Sequence, residues 1–427
     1  MASDGCSGSE ATSSSQCASY TYDPPPPPLP GDASGFFEDV SSLLSTNPTQ
    51  LNYGVAVSDT NGNGLFEFVV AGYGAANQAF EWDGSSFVDV ALGSSTLQDA
   101  SSRAIGLAAC DVDGDGHEEL YVLNTDQYSG ATTTSDRLIA RDASSGSHVE
   151  LFALAQNQNS ANFVAGRSCA CVDRNGDGRF GVMVANYGGP MRLFEAEADG
   201  RTVRDKAGEA NVDKTTGGRA LVAGPILTAH MDIFANNEGW NGGGRRLESG
   251  SKRWSGSAAE AAGGQERSDE AAKEEEEAAA EAEAGGAVRG VHRRLSHRAN
   301  FMFRNGGDGT FSDVAGDVGL LDNHLTGRGT SLFDANGDGL IDIVYGNWNA
   351  QHRLYVQSRD ASGNARFTDV APAAMAAASP IRTVIVADFD NDGCVAAPWR
   401  DARGCHASHS PPSAPPLPAI HQPPPLS

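Results

Sequence analysis

A chain of 427 residues has room for one large or two ordinary domains, with a sizeable core. Its formal net charge of −25 disfavours nucleic acid and anionic membrane as partners, because both select basic patches. No stretch approaches the roughly 18 apolar residues that a membrane-spanning helix needs.

Taken in order, residues 1–35 read as a disordered lead, Ser-rich and then Pro-rich at 24–28. Residues 1–19 are polar and lack the apolar centre of a signal peptide, so either the chain is not secreted as it stands or its true start is missing. Phe37-Glu38-Asp39-Val40 opens a strand signal that recurs as Phe87-Val88-Asp89-Val90, Phe311-Ser312-Asp313-Val314 and Phe367-Thr368-Asp369-Val370, with a weaker copy at 203–207. The first copy, alone before the first full repeat, fits a strap that completes the last unit of a ring.

Between these signals lie acidic turns. Asp334-Ala335-Asn336-Gly337-Asp338-Gly339-Leu340-Ile341-Asp342 places oxygen-bearing side chains at alternate positions and glycines where the backbone must curl. Hard oxygens converging from a short loop suit Ca²⁺. Four further copies follow one frame. Asp59, Asn61, Asn63 and Glu67 form the first, and Asp111, Asp113, Asp115 and Glu119 the second. Asp173, Asn175 and Asp177 form the third, with Gly181 where the ninth-position acid belongs; Asp388, Asp390 and Asp392 begin the last, with Ala396 there. An EF-hand is excluded, since the twelfth position is Val70, Val122, Val184, Tyr345 or Trp399 instead of glutamate. The flanks are short β-branched and aromatic runs, which read as strands. Ligand charge ranks the loop at Asp111 first, then Asp334, then Asp59 and Asp173.

Loop starts at 59, 111 and 173 are 52 and 62 residues apart. The next slot starts at Gly224, where only Asp232 remains, and reads as a unit whose metal loop has decayed. The distance from there to Asp334 is too long for one repeat. The excess, residues 241–298, is a low-complexity Gly/Ala/Glu segment without an apolar face, inserted between two strands of one unit. Four short strands per period of 50 to 60 residues predict an all-β fold, a β-propeller over residues 36–394 with about six recognisable blades. Residues 395–427 form a Pro-rich disordered tail, and the sixth blade is cut off by it.

The Asp/Asn loops, the Asn-Gly-Asp-Gly cores and the Phe-x-Asp-Val strands resemble FG-GAP/VCBS repeats, the calcium-bearing blades of integrin-α-like propellers. Residues 106–116, 119–125, 224–227 and 342–349 are similar, more closely, to the cartilage acidic protein family. That resemblance implies a secreted, seven-bladed, calcium-binding propeller without known catalysis, followed by a cysteine-rich module that has no counterpart here.

Three functional readings stay open at this point. One is a non-enzymatic extracellular module in which Ca²⁺ stiffens the blades and rim loops contact an unidentified protein or glycan, with no nucleic acid and no membrane insertion. The second is a propeller lectin or carbohydrate-active enzyme, for which Trp82, Trp240 and Trp348 are the available propeller tryptophans. The third is a truncated, non-functional fragment. No catalytic motif stands out, and His230, His324 and His352 read as surface or blade-edge residues.

Two features are left undecided by the residues alone. Seven cysteines follow no zinc pattern, and Cys110 and Cys171 sit at equivalent points of neighbouring repeats, as an inter-repeat disulfide or as buried thiols. Arg103, Arg167, Arg219, Arg328 and Arg382 stand five to eight residues before the loops, either as a cationic ring or paired with Asp of adjacent blades.

Overall fold

The computed structural model describes residues 39–238 and 299–387. The chain forms a mostly β structure whose α-helices among the described residues, Ser95–Gln98 and Ala315–Val318, are single turns. Its unit is a four-stranded antiparallel sheet of strands consecutive in sequence, and five follow one another. The first holds β1 (Leu51–Ser58), β2 (Glu67–Tyr73), β3 (Gln78–Trp82) and β4 (Phe87–Asp89). The second holds β5 (Ala104–Cys110), β6 (Glu119–Asn124), β7 (Arg137–Arg141) and β8 (His148–Glu150). The third holds β9 (Gly166–Val172), β10 (Gly181–Pro190), β11 (Arg192–Ala196) and β12 (Val203–Asp205). The fourth holds β13 (Thr215–Gly224), β14 (Asp232–Asn237), β15 (Phe301–Asn305) and β16 (Phe311–Asp313). The fifth holds β17 (Gly327–Phe333), β18 (Asp342–Ala350), β19 (Arg353–Arg359) and β20 (Ala365–Asp369), and a short β21 (Ser379–Pro380) pairs with β18.

First strands of successive sheets lie against one another, β1 on β5, β5 on β9, β9 on β13 and β13 on β17. That makes them the inner strands of a propeller, as the repeat length implies. Facing sides of successive sheets are buried against one another, so the core is a series of inter-blade layers instead of one centre; among the described residues the first blade is covered on one side, and Tyr53, Val55 and Val57 of β1 are exposed. Val172, Met183 and Leu193 of the third blade pack with Leu221, Ile233 and Phe303 of the fourth. Phe234 and Met302 meet Ile343, Tyr345 and Phe367 of the fifth in the same way. Short strands suffice in the middle blades because they are covered from both sides, as the fully buried β6 and β14 show.

The recurring Phe-x-Asp-Val signal has a mechanical cause. Asp89 Oδ1 accepts the N–H of Ala79 on β3 and of Ala91 in the turn beyond, both at 3.1 Å. Asp205, Asp313 and Asp369 repeat this clamp on Leu193 and Ala207, Met302 and Ala315, and Leu354 and Ala371. The outer strand is only three residues long in most blades, and the carboxylate ties its end to the third strand.

Cys110 at the end of β5 and Cys171 in β9 are joined as a disulfide, so the second and third blades are covalently linked. Cys169 is a free thiol.

Two expectations need correction. Asp39 and Val40 are not strand; Leu44 instead makes a parallel bridge to Phe87, so the lead-in touches the outer edge of its own blade. Residues 383–386, within the sixth blade expected from the repeats, run beside β17 without forming a ladder, although Val384 is buried there and its carbonyl accepts from Ser331 Oγ at 2.7 Å. A ladder needs a second strand, and the residues that would supply it lie outside the described ones. The segment 241–298, the whole N-terminal lead and the tail also lie outside; β14 and β15, on either side of that segment, pair through Ile233 and Phe303.

Candidate metal-binding loops

Four of the acidic turns join the first and second strands of a blade. In each, a position-one aspartate at the end of the inner strand collects the loop's own N–H groups. Asp111 Oδ1 accepts from Gly114 at 2.7 Å and Asp115 at 3.1 Å, and its Oδ2 accepts from Gly116 at 3.0 Å. Asp173 and Asp334 repeat all three contacts, and Asp59 two of them. Such a curl needs left-handed backbone at two places, which glycine reaches without strain. Gly114 and Gly116 stand at φ 78° and 91°, and Gly337 and Gly339 at 77° and 81°.

Positions three and five point back into the same concavity. Asp113 Oδ1 accepts from Asp115 N–H at 3.1 Å and Asp115 Oδ1 from His117 N–H at 2.8 Å, which leaves the second oxygen of each outside these contacts. Asp111, Asp113 and Asp115 thereby offer carboxylate oxygens within 4.8 Å of one another. Two unit charges at that distance repel by about 1–3 kcal/mol at surface-like dielectric. Burial and these neighbours raise the Asp113 carboxyl above its ordinary range. The donor set is all oxygen, with the His117 carbonyl at the seventh position, and fits a hard divalent cation.

The other loops carry less charge at the same points. Asn336 Nδ2 donates to Asp338 Oδ2 at 2.9 Å. In the first loop Asn61 and Asn63 both donate to Glu81 Oε2 at 2.7 Å, so β3 supplies an acid that the sequence pattern did not reveal. In the third, Asp173, Asn175 and Asp177 share the curl. Asp388, Asp390 and Asp392 lie outside the described residues.

The ninth-position acids sit behind the curl. Glu67, Glu119 and Asp342 are buried, each starting a second strand. Glu119 Oε2 accepts the Val112 N–H at 2.9 Å, Glu67 Oε2 that of Thr60 at 2.7 Å, and Asp342 Oδ2 that of Ala335 at 2.7 Å. Asp342 Oδ1 is also engaged, by Gln357 N–H at 2.7 Å. Burial pushes Glu119 up to about 8 and Glu67 up to about 7. Asp232 holds the same place in the fourth blade, accepting from Leu227, Thr228 and Asn305 N–H groups at 2.7–2.9 Å. There the clamp survives without the rest of the motif. In the third blade Gly181 vacates the place, and Glu195 of β11 packs beside it and grips Arg174 through both carboxylate oxygens, at 2.5 and 3.0 Å.

Trp82 and Trp348 pack against neighbouring side chains, and His230 and His324 are exposed, as expected for surface residues. Trp82 leans on Phe87 at 4.9 Å between centroids, and Trp348 lies against two arginines. His352 is buried, accepting from Asn347 N–H at 3.0 Å and facing Ser379 Oγ at 2.8 Å, inside the joint with β21 instead of on the surface. Trp240 lies outside the described residues. No helix among the described residues is long and apolar enough to cross a membrane.

The FG-GAP-like repeat model matches residues 31–122 and 334–395. The chain is 38% identical over 367 residues to cartilage acidic protein 1 of Homo sapiens, a match covering 81% of this chain and 47% of that protein. Identity to cartilage acidic protein 1 of Mus musculus is also 38%, over 81% of this chain and 48% of that one. The chain spans about half the length of the curated relatives it matches. Among solved structures it is similar to the Dos1 propeller, at 10% identity and a TM-score of 0.40, over 77% of this chain and 62% of that one.

Proposed function

From the premise that this chain belongs to the FG-GAP-repeat β-propellers and is related to cartilage acidic protein 1, we propose that it is a calcium-stiffened, non-enzymatic extracellular binding module. The observation that carries the reading is the convergence of Asp111, Asp113 and Asp115 in one curl. A divalent cation there relieves the mutual repulsion of three carboxylates and pins the bend between β5 and β6. Asp59, Asn61 and Asn63, Asp173, Asn175 and Asp177, and Asp334, Asn336 and Asp338 hold weaker ions on the same plan. Glu67, Glu119 and Asp342 clamp each loop to its base. Asp388, Asp390 and Asp392 belong to the same proposal by motif alone.

Two observations support the rest. The Cys110–Cys171 disulfide suits an oxidising, extracellular compartment. The acids with the most strongly raised pKa values, Glu119, Glu67 and Asp136, face backbone N–H groups and buried amides instead of a substrate cleft, which favours binding over catalysis. Rigid blades then present rim loops to a protein or glycan, with no role for nucleic acid or membrane insertion.

Thermal melting and calorimetry with Ca²⁺ against chelator test this. Calcium is expected to raise the melting temperature, and Asp113→Asn combined with Asp115→Asn to remove most of the increase. A wild-type melting temperature that does not move in millimolar calcium would end the proposal.

A further inference from the structure

The inner strands carry a second repeated feature at the end away from the acidic loops. Arg328 stands six residues before Asp334 along β17, which at about 3.3 Å per residue puts the two roughly 20 Å apart. Arg103, Arg167, Arg219 and Arg382 occupy similar places in the other blades. The structure pairs one of them, Arg328, with an acid of the adjacent blade, though it is Glu238 where one reading of the sequence had Asp. It stacks them on aromatic rings that close the second strands, where these reach the next blade through Tyr73 and Arg103, Tyr187 and Gly217, and Trp348 and Pro380.

Arg103 lies 5.8 Å from the Tyr73 ring centre. Arg167 and Arg219 both lie over Tyr128, at 5.1 and 5.8 Å, and over Tyr187, at 5.6 and 5.1 Å. Arg328 and Arg382 both lie over Trp348, at 5.4 and 4.6 Å. Glu238 joins the two groups, pairing with Arg219 Nε and, at 3.1 Å, with Arg328 Nη1. The result is a ladder that runs Arg167, Tyr128 and Tyr187, Arg219, Glu238, Arg328, Trp348, Arg382. Two of its guanidiniums share one carboxylate. Burial, with Arg328 and Arg167 nearby, pushes Arg219 down to about 10, so it remains charged at neutral pH. Arg328 is buried, and its Nε has no hydrogen-bond partner. Arg382 and Tyr128 are exposed, so solvent reaches the ladder.

We infer that this ladder binds a doubly charged tetrahedral oxyanion, a sulfate or phosphate group, free or carried as an ester. Cation–π contacts hold the guanidiniums in place without neutralising them, and Glu238 offsets one of the ladder's four positive charges. A planar carboxylate serves a pair of them, as Glu238 does. Guanidiniums arriving from several blades present donors from several directions, which a tetrahedral anion with four oxygens can meet at once. The chain's net charge of −25 repels anions in general, so a local cationic surplus at one end directs them there.

The test uses the full chain and is independent of the calcium reading, since the two features lie at opposite ends of the inner strands. Melting curves and calorimetry are recorded with sodium sulfate, phosphate, acetate and chloride at matched ionic strength, in chelator and, for sulfate, again in calcium. Sulfate or phosphate is expected to stabilise the protein saturably, with acetate and chloride far behind. Arg382→Gln, at an exposed position, is expected to weaken binding about tenfold or more, and Arg304→Gln, exposed on β15, to leave it unchanged. Methyl sulfate or methyl phosphate binding more tightly than the free ion assigns the group to an ester, and the reverse order to the inorganic ion. Equal effects of sulfate and chloride, full affinity in Arg382→Gln, or equally tight binding of a pentaglutamate peptide would overturn the inference. Sulfate binding that persists where calcium has no effect would sink only the calcium proposal.

Discussion

The backbone N–H of Val112 donates to Glu119 Oε2 at 2.9 Å, fastening the loop that begins at Asp111 to the first residue of β6. This contact separates two kinds of acid within one motif. Glu119 is buried and holds the base of the curl, whereas Asp113 and Asp115 face its opening. Glu119→Ala is therefore expected to cost about 2–4 kcal/mol even in chelator, from a cavity and a stranded N–H. Asp113→Asn is expected to change stability in chelator by less than about 1 kcal/mol and to act through calcium alone. Urea unfolding of both variants, with and without calcium, checks the difference; equal losses in chelator would erase the distinction.

A pH dependence follows from the same buried acids. Glu119 and Glu67 titrate at about 8 and about 7 in the folded chain, raised by burial, against about 4.3 when unfolded. The folded state thus keeps protons that the unfolded state has released. In chelator, stability is expected to be highest at low pH within this window and to fall as pH rises from about 5 to about 8. Asp142 and Asp199, both held at about 2 by hydrogen bonds from nearby hydroxyls and N–H groups, act below this window. His352, lowered by burial, works in the opposite sense. The cleaner measurement is the difference between wild type and Glu119→Gln, melted in chelator at pH 5, 6, 7 and 8. The variant should have the shallower decline, and an unchanged slope would show that Glu119 does not titrate there.

The loops were legible in the sequence because each residue has a backbone task at a fixed offset. Position-one Asp gathers N–H groups, glycines at two places take positive φ, and a buried acid starts the next strand. The Phe-x-Asp-Val strands were legible for the same reason, through the clamp made by Asp89, Asp205, Asp313 and Asp369. Relationships between distant strands were not. Glu81 reaches the first loop from β3, and Arg219 meets Tyr128 and Glu238 across blades. No local spacing encodes those contacts, since they depend on which strand ends the ring brings together. At residues 39–40 the strand signal of the expected strap is not realised, on similar grounds, because the sequence carries the signal but not its partner; residues 37–38 lie outside the described ones.

The link between Cys110 and Cys171 closes a sequence separation of 61 residues across two blades. Chain-entropy arguments place its contribution at about 4 kcal/mol. Cys110→Ala with Cys171→Ala is expected to lower stability by about 2–4 kcal/mol, and reductant to have little further effect on that variant. Cys169 provides an internal reference. Burial, with Asp136 nearby, pushes its thiol well above the ordinary range, so it should resist alkylation until the protein unfolds. Mass spectrometry after iodoacetamide treatment, native against denatured, reads this directly. Cys169 is half-buried, and its labelling in the native protein at the rate of an exposed thiol would contradict the raised thiol.

Gly181 tests whether the third loop has been rebuilt around a missing acid. A Cβ there would stand 2.9 Å from Glu195 Cγ, 3.0 Å from Leu193 Cδ1 and 3.1 Å from the Phe194 carbonyl oxygen. Two of these neighbours are packed side chains and the third is backbone, so the strand pair must spread to admit a methyl group. Gly181→Ala is expected to cost about 1–3 kcal/mol. Glu195→Ala frees that space but strands Arg174, which is buried and otherwise reaches only the exposed Glu209 and the Gly309 carbonyl. Its loss is expected to be larger, about 3–5 kcal/mol, because a buried charge loses its bidentate partner. The double variant should recover part of the Gly181→Ala penalty, since the methyl group then fills space that Glu195 vacated. Chemical denaturation of the three proteins measures that coupling. Strict additivity would mean that Glu195 and Gly181 are neighbours by coincidence, and that no acid has taken over the vacated place.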